Sequence, residues 1–392
     1  MTTLALFPRD GFSSKDGRGW YTSDIGRSRS HAWPMPNVLR GALRNAFGRE
    51  RASQSGFDWQ RDTEGVRIVK SCAVCRRVGE PLGAEHRMWP APADAVQLRD
   101  DAEEGNVRRL IPTRTTRRAG GGTLGNRDDA AMEALWLPAI PRGKTQPSPM
   151  FWTDAEMIAW LTGQPVQRCD PRDPRRTPVV RTDIGLAINP DTQAAEPSML
   201  RSSDITEGLV RAPSGVWEWG IVMEIALPGE ATKLARGPLF VGGKRRLSFP
   251  EEISAPMFDG APPLAPSRYV RLALATPADF AHGWIPDGFA AETIDGEPVY
   301  LGALPGVRGP VILRAAIVPR PVPLSTWDMV ARAPRKTRLL VPAGSVYFVE
   351  KRGGDFTREE LRALWLAQLG GARDEGLGLM MPGAWNPEEP TA

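Results

Sequence analysis

Between Ile25 and Arg49 the chain carries five arginines, Arg27, Arg29, Arg40, Arg44 and Arg49, and no carboxylate. A guanidinium is a planar fork of donors that fits a phosphate with two parallel hydrogen bonds. Arg40 and Arg44 stand four apart in a helical pattern, with Asn37 one turn before them. Like charges so placed repel unless an anion lies across them, and no acid is close in sequence. From Asn106 to Arg127 there are six more arginines, Arg108, Arg109, Arg114, Arg117, Arg118 and Arg127, again without an acid. Lys244, Arg245 and Arg246 follow directly on Gly242 and Gly243. Arg9, Lys15 and Arg18 lie in the loop that leads to the first cluster. The chemistry on offer is the gripping of a polyanion.

Other residues suggest further chemistry, each beside a plainer reading. Gly370, Gly371, Gly376 and Gly378 lie within "LGGARDEGLGLMMPGAW". Glycine lets backbone N–H groups approach a phosphate closely. The segment has no Walker ending and opens no helix after a strand, so a helix cap and loop is the plain alternative. For "FVGGKRRLSF" the alternative is a solvated basic turn. Cys72 and Cys75 have metal-ligand spacing, and His86 with Cys169 would complete a Cys₃His structural zinc site. Otherwise they are two small residues at a hairpin tip. His31 sits in the basic segment, where a ribonuclease acid or base would lie. None of the three histidines has a Ser or Cys nucleophile partner, and no complete active site is legible. Trp20 and Trp33 flank the basic loop and could stack on unpaired bases. The remaining tryptophans belong in a core.

The elements that must hold these residues follow from apolar spacing. "TLALF" reads as a first strand. Val38, Leu39, Ala42, Leu43, Ala46 and Phe47 give a helix over 37–47 with one apolar face. "GVRIVKS" and "EHRMWPAP" read as a hairpin, 152–163 as a helix capped by Thr153 and Glu156, and 179–188 as a strand. Strand, helix, hairpin, helix, strand is the ferredoxin-like plan. A second pass starts near Trp217 with strands at 216–227, "RYVRLALAT" and "GPVILRAAIV". A hairpin over 337–350 would turn at Pro342 to Gly344. A helix over 356–371, capped by Thr357 and Glu360, would end at the glycines. The expectation is an α+β chain of two tandem ferredoxin-like (RRM-like) domains, 1–214 and 215–392, with long Gly-rich and basic loops.

With 392 residues there is material for two domains, and 41% hydrophobic with 24% charged residues is a globular composition. Three cysteines argue against a disulfide framework. No basic segment precedes a long apolar run at the N-terminus, and no stretch is apolar enough for a membrane span. A cytoplasmic protein with no membrane partner is expected. Net charge is only +4, but the acids are set apart in "DDAEEG" and "NPEEPTA", so the basic clusters make local positive fields.

The order of these segments resembles the RAMP superfamily (repeat-associated mysterious proteins) of CRISPR systems. "FPRDGFSSKDGRGW" followed by "PMPNVLRGALRNAF" is similar to that superfamily's N-terminal signature. "MWPAPADAVQL", "RTDIGLAINPDTQAAEPSML", "FVGGKRRLSF", "VPAGSVYFVE" and "EGLGLMMPGAW" follow in the order expected for the third Cmr subunit of type III-B effector complexes. The resemblance implies a binder, not an enzyme, that grips the 5′ repeat-derived handle of a CRISPR RNA. Its neighbours would be the large polymerase-like subunit and the first backbone RAMP subunit, with target RNA met indirectly. Handle contacts would come from Arg9, Lys15, Arg18, Trp20, His31, Asn37, Arg40, Arg44, the 242–246 turn and the C-terminal glycines. Arg108, Arg109, Arg114, Arg117 and Arg118 would form a thumb-like loop pressing on the guide. No cofactor is implied, and the CxxC is not a feature of the superfamily. The rival readings are an endoribonuclease that processes CRISPR RNA precursor through His31, and a protein-only scaffold.

Overall fold

Leu4 and Leu6 alternate with Ala5 and Phe7 along the first strand, and the two sets serve opposite faces of one sheet. Leu4 and Leu6 pack with Leu39, Leu43 and Phe47 of the first helix; Ala5 and Phe7 join a larger core. The computed structural model describes residues 1–16, 26–31, 33, 35–99, 105–114, 130–139, 141–229, 234, 237–242, 246–328 and 331–388. The chain is α+β, with many strands and few helices. The elements of the first half are β1 (Thr2–Pro8), α1 (Pro36–Arg51), β2 (Arg67–Arg77), β3 (Arg87–Pro90), β4 (Phe151–Thr153), α2 (Asp154–Leu161), β5 (Val180–Ile188), β6 (Ala195–Thr206), β7 (Leu209–Ala212), β8 (Gly215–Ala226), β9 (Leu239–Val241) and β10 (Arg246–Glu252). The second half supplies β11 (Tyr269–Leu274), β12 (Ala290–Ile294), β13 (Glu297–Gly302), β14 (Val311–Ile317), β15 (Val346–Lys351), α3 (Arg358–Leu364) and β16 (Met380–Ala384).

The first sheet runs β4-β3-β2-β8-β1-β10-β9, with β7 added on β8. The second runs β12-β13-β14-β15-β11-β16. Within each, four antiparallel neighbours repeat one order: second, third, first, fourth. These are β2-β8-β1-β10 in the first sheet and β14-β15-β11-β16 in the second. Where the first has α1 between its first two strands, the second has the hairpin β12–β13. Ala5, Val74 and Val222 of the first sheet meet Ala273, Val346, Phe348 and Met381 of the second in one core, with Trp89, Trp152 and Trp160.

Several boundaries differ from the sequence reading. The strand at 215–226 lies between β2 and β1, so the first sheet is completed only by residues up to Glu252. A division that leaves both sheets whole falls between Glu252 and Tyr269, not at 214. The strand at 180–188 pairs with β6 in a separate ribbon, which also takes in residues 26–28. Its apolar residues alternate, yet Ile184 is 72% exposed. The expected hairpin over 337–350 does not form. Residues 338–340 pair with 322–324, while 346–351 joins the second sheet. Both capping boxes are present, at Thr153 with Glu156 and at Thr357 with Glu360. The last helix stops at Leu364, well before the glycines, because Leu366 takes a left-handed backbone conformation and 366–369 turn to pair with 378–380.

Candidate nucleic-acid interface

α1 starts at Pro36, whose missing N–H costs nothing in the first helical turn. Its polar face points Arg40 and Arg44 at the chain that leads into β2. Arg40 donates from Nε to the Val66 carbonyl and from Nη2 to the Glu64 carbonyl, both at 2.8 Å. Its guanidinium also lies 3.7 Å from Asp374. Arg44 donates to Thr63 Oγ1 at 2.9 Å. The acceptors missing from the neighbouring sequence are thus supplied first by backbone carbonyls after α1. Arg40 is largely committed to holding α1 to β2. Arg44 is less settled. Burial first, and then the charge of Arg40, push its pKa below the ordinary arginine value; Glu64 opposes the shift and Arg335 adds a smaller push. Arg335, not singled out in the sequence, is exposed and pairs with Asp328 at 3.1 Å. Asn37 is partly buried, and its Oδ1 lacks a hydrogen-bond partner among the described residues.

The C-terminal glycines meet this same region, but not as an amide nest. Glu375 bridges to Ile68, and Met35 packs with Leu377, Leu324 and Leu340. Gly371 donates its N–H to Asp279, Gly376 to Arg373 and Gly378 to Pro277. Gly370, Gly376 and Gly378 are buried. The amides expected to face a phosphate are therefore used inside the protein. Glycine is required at 378 because a Cβ there would stand 1.9 Å from the Leu369 carbonyl oxygen.

A second group forms where β1 ends. Gly242, at φ +69°, closes against the Ser13 carbonyl, which a Cβ would approach to 2.1 Å. Arg246 donates to the Asp10 carbonyl at 2.9 Å and to Asp183 at 3.0 Å. Arg9 is exposed and lies over the ring of Phe249, 5.8 Å from its centre. Lys15 and His31 fall in two short paired segments, with Ser14 opposite His31 and Lys15 opposite Ser30. Arg18, Trp20, Gly243, Lys244 and Arg245 lie outside the described residues, as do Arg117 and Arg118. Phe249 was missed in the sequence. The signal was the alternation in "RLSFPEE", which sets Leu247 and Phe249 on one face.

The thumb-like loop is partly fixed in the body. Arg108 and Arg109 pair with Val96 and Ala95. Arg109 donates to the Trp160 carbonyl at 3.0 Å and lies 4.1 Å from the Trp160 ring centre. Arg114 is exposed, 3.7 Å from Glu297. Trp33 is taken up by edge contacts with Phe12, Phe151 and Trp219.

The CxxC lies on an extended strand instead of a hairpin tip, and an extended strand parts residues three apart to opposite faces. Cys72 joins the core between the sheets, and Cys75 packs with Ala73, Met88 and Trp219 on the other side. His86 Nδ1 accepts from the Gly83 N–H at 3.1 Å. No group of three or more His, Cys, Asp or Glu side chains suited to a metal occurs among the described residues. The zinc set read from spacing is not assembled. Burial pushes both thiols up to about 12. At pH 8 an aromatic disulfide reagent should therefore leave Cys72 and Cys75 unmodified until the protein is unfolded. Their raised folded pKa also fixes a sign. Stability due to the neutral thiols is whole below the ordinary thiol range and is lost as pH climbs toward about 12. Rapid labelling of Cys72 in the native protein at pH 8 would contradict this.

Residues 4–385 match a family model, and the match makes the chain a CRISPR-associated protein. The family is the one described as CRISPR-associated protein (Cas_Cmr3), and the chain belongs to it. A search of curated proteins returns no match. Among solved structures, a chain of the type III-B Cmr-beta complex bound to cognate target RNA and AMPPnP is 10% identical. The match covers 88% of this chain and 86% of that one, with a TM-score of 0.42. A chain of the Csm3–Csm4 subcomplex from the type III-A interference complex is 9% identical, covering 91% and 94%, with a TM-score of 0.32.

Proposed function

We propose that this chain is a non-catalytic RNA-binding subunit of a type III-B (Cmr) effector complex. It grips the 5′ repeat-derived handle of the CRISPR RNA and caps one end of the assembly. Membership of the Cas_Cmr3 family over residues 4–385 carries the reading. The repeated strand order supports two ferredoxin-like units, the first ending after β10 and the second opening at β11. The large polymerase-like subunit and the first backbone RAMP subunit are the proposed neighbours, and both should travel with the chain on co-purification.

Two features favour RNA over a purely protein scaffold. Arg44 is pressed by burial and by the charge of Arg40, with Glu64 offsetting part of it, and a phosphate would relieve that charge. Arg9 is exposed and lies over the ring of Phe249. A single-stranded handle offers both phosphates and unstacked bases. Labelled handle RNA titrated with the full chain at rising salt tests the reading. Binding should weaken with salt, and the RNA should emerge intact. Arg44→Ala with Arg335→Ala should reduce the log–log salt slope by about 0.7 for each phosphate no longer neutralised. Shortened RNA, with cutting abolished by His31→Ala, would instead make the chain a processing ribonuclease. Binding that ignores salt would return the arginines to a structural role.

A further inference from the structure

The face of the first sheet away from α1 packs against the second sheet, yet at the end of β1 it carries phenylalanines on three adjacent strands. Phe7 on β1 stands directly across from Phe249 on β10. Phe240 on β9 pairs with Leu247, two residues before Phe249 on the same face. Leu239 and Val241, which alternate with Phe240, pack instead on the α1 side.

Phe7 is held rigidly. One side of its ring lies against Gly220, where a Cβ would come within 2.6 Å of the ring. The Arg76 guanidinium lies 4.1 Å from its centre. Arg76 is itself fixed by Glu218 at 2.8 Å and by Glu251 at 3.1 and 2.8 Å, so it is not free to meet a phosphate. Phe249 differs. It is 47% exposed, and the exposed cation Arg9 lies beside its ring. Arg9 is tied to the same strand by its backbone, donating to the Leu247 carbonyl at 3.0 Å.

We propose that Phe249, beside Phe7 on the neighbouring strand and flanked by Arg9, is a stacking platform for one unpaired nucleobase of the bound RNA. A large aromatic ring left open on a strand forgoes hydrophobic burial that its neighbours obtain, and a base supplies a flat apolar partner of matching size. The cation beside the ring is placed for the phosphate of the same or the next nucleotide. Glu251, two residues on, is occupied by Arg76 and does not oppose that phosphate unpaired. The platform is independent of sequence, since every base has a π-face. It adds a base contact to a surface otherwise made of phosphate contacts.

The inference rests on the RNA-binding reading above, and the experiment separates the two. The full chain is titrated with a labelled single-stranded RNA oligonucleotide and with a series carrying one abasic position each. Phe249→Ala, a surface change that leaves the core intact, should weaken binding on the order of tenfold. Phe249→Tyr should restore it. One abasic position should cost the wild type the same factor and cost Phe249→Ala nothing more, because the two partners of one stack are not additive. If wild type binds the RNA and Phe249→Ala binds it equally well, the platform is wrong while the RNA reading stands. The platform is equally wrong if Phe249→Ala keeps RNA affinity but no longer associates with a protein subunit. If wild type binds no RNA at any salt concentration, both fail.

Discussion

Asp94→Ala should destabilise the fold by about 3–5 kcal/mol, the cost of leaving one member of a buried ion pair uncompensated. Asp94 is fully buried, and Arg271 nearly so at 1% exposure. Asp94 Oδ2 accepts from Arg271 Nη1 at 2.6 Å, while Oδ1 accepts from Trp160 Nε1 at 3.0 Å. Arg271 also donates to the Trp160 carbonyl. Three distant stretches of chain meet there: the segment after β3, the end of α2 and the centre of β11. Arg271 already has a buried Nε with no partner among the described residues, so it has no spare acceptor when the carboxylate goes. Denaturant unfolding measures the loss. The paired change Asp94→Leu with Arg271→Met should recover much of it, since removing both charges also removes their desolvation cost. A single-variant loss below about 1 kcal/mol would mean that the site takes in water and that this ion pair adds little to the joint between the two sheets.

The sequence disclosed elements better than neighbours. The alternation in "TLALF", the apolar stripe of α1 and the two capping boxes are local signals, and each element begins where those signals place it, although the last helix ends early. Pairing is not local. The strand at 215–226 reads equally well as the first strand of a second unit or the third of the first. Only its registers with β1 and β2 decide. β2 pairs on one side with β3, the hairpin that chain proximity suggests, but on the other with β8, and residues 78–214 separate those two, so proximity misleads there. The arginines show the same limit. Their types and spacing marked a need for anions near α1, but whether backbone carbonyls, Asp374 or a ligand meets that need depends on residues outside the helix. Phe249 escaped notice because one phenylalanine in an alternating strand carries no mark of exposure.

Gly378→Val should cost about 4 kcal/mol or more and lower RNA binding only by unfolding the region. Amides facing a phosphate, as read from the sequence, would give the opposite outcome: a side chain clashing with RNA while the fold survives. Gly378 takes φ +75°, where a β-branched residue is strained. Its Cβ would collide with the Leu369 carbonyl, a backbone atom fixed by the pairing of 366–369 with 378–380. Leu377 and Leu379 on either side are fully buried, so the loop cannot swing outward without exposing both. Gly376→Val adds a milder conflict, at 2.8 Å from the Ile68 side chain. Gly41→Ala is the control. It lies exposed in α1 with nothing within 4 Å of its Cβ, and should stabilise by about 0.5–1 kcal/mol through helix propensity. Thermal unfolding followed by circular dichroism, with RNA affinity measured on the same samples, distinguishes the two views. If Gly378→Val melts with the wild type yet loses RNA, the glycine loop faces the nucleic acid after all. If melting and binding fall together, the loop is a brace that ties α1 and β2 to the second sheet.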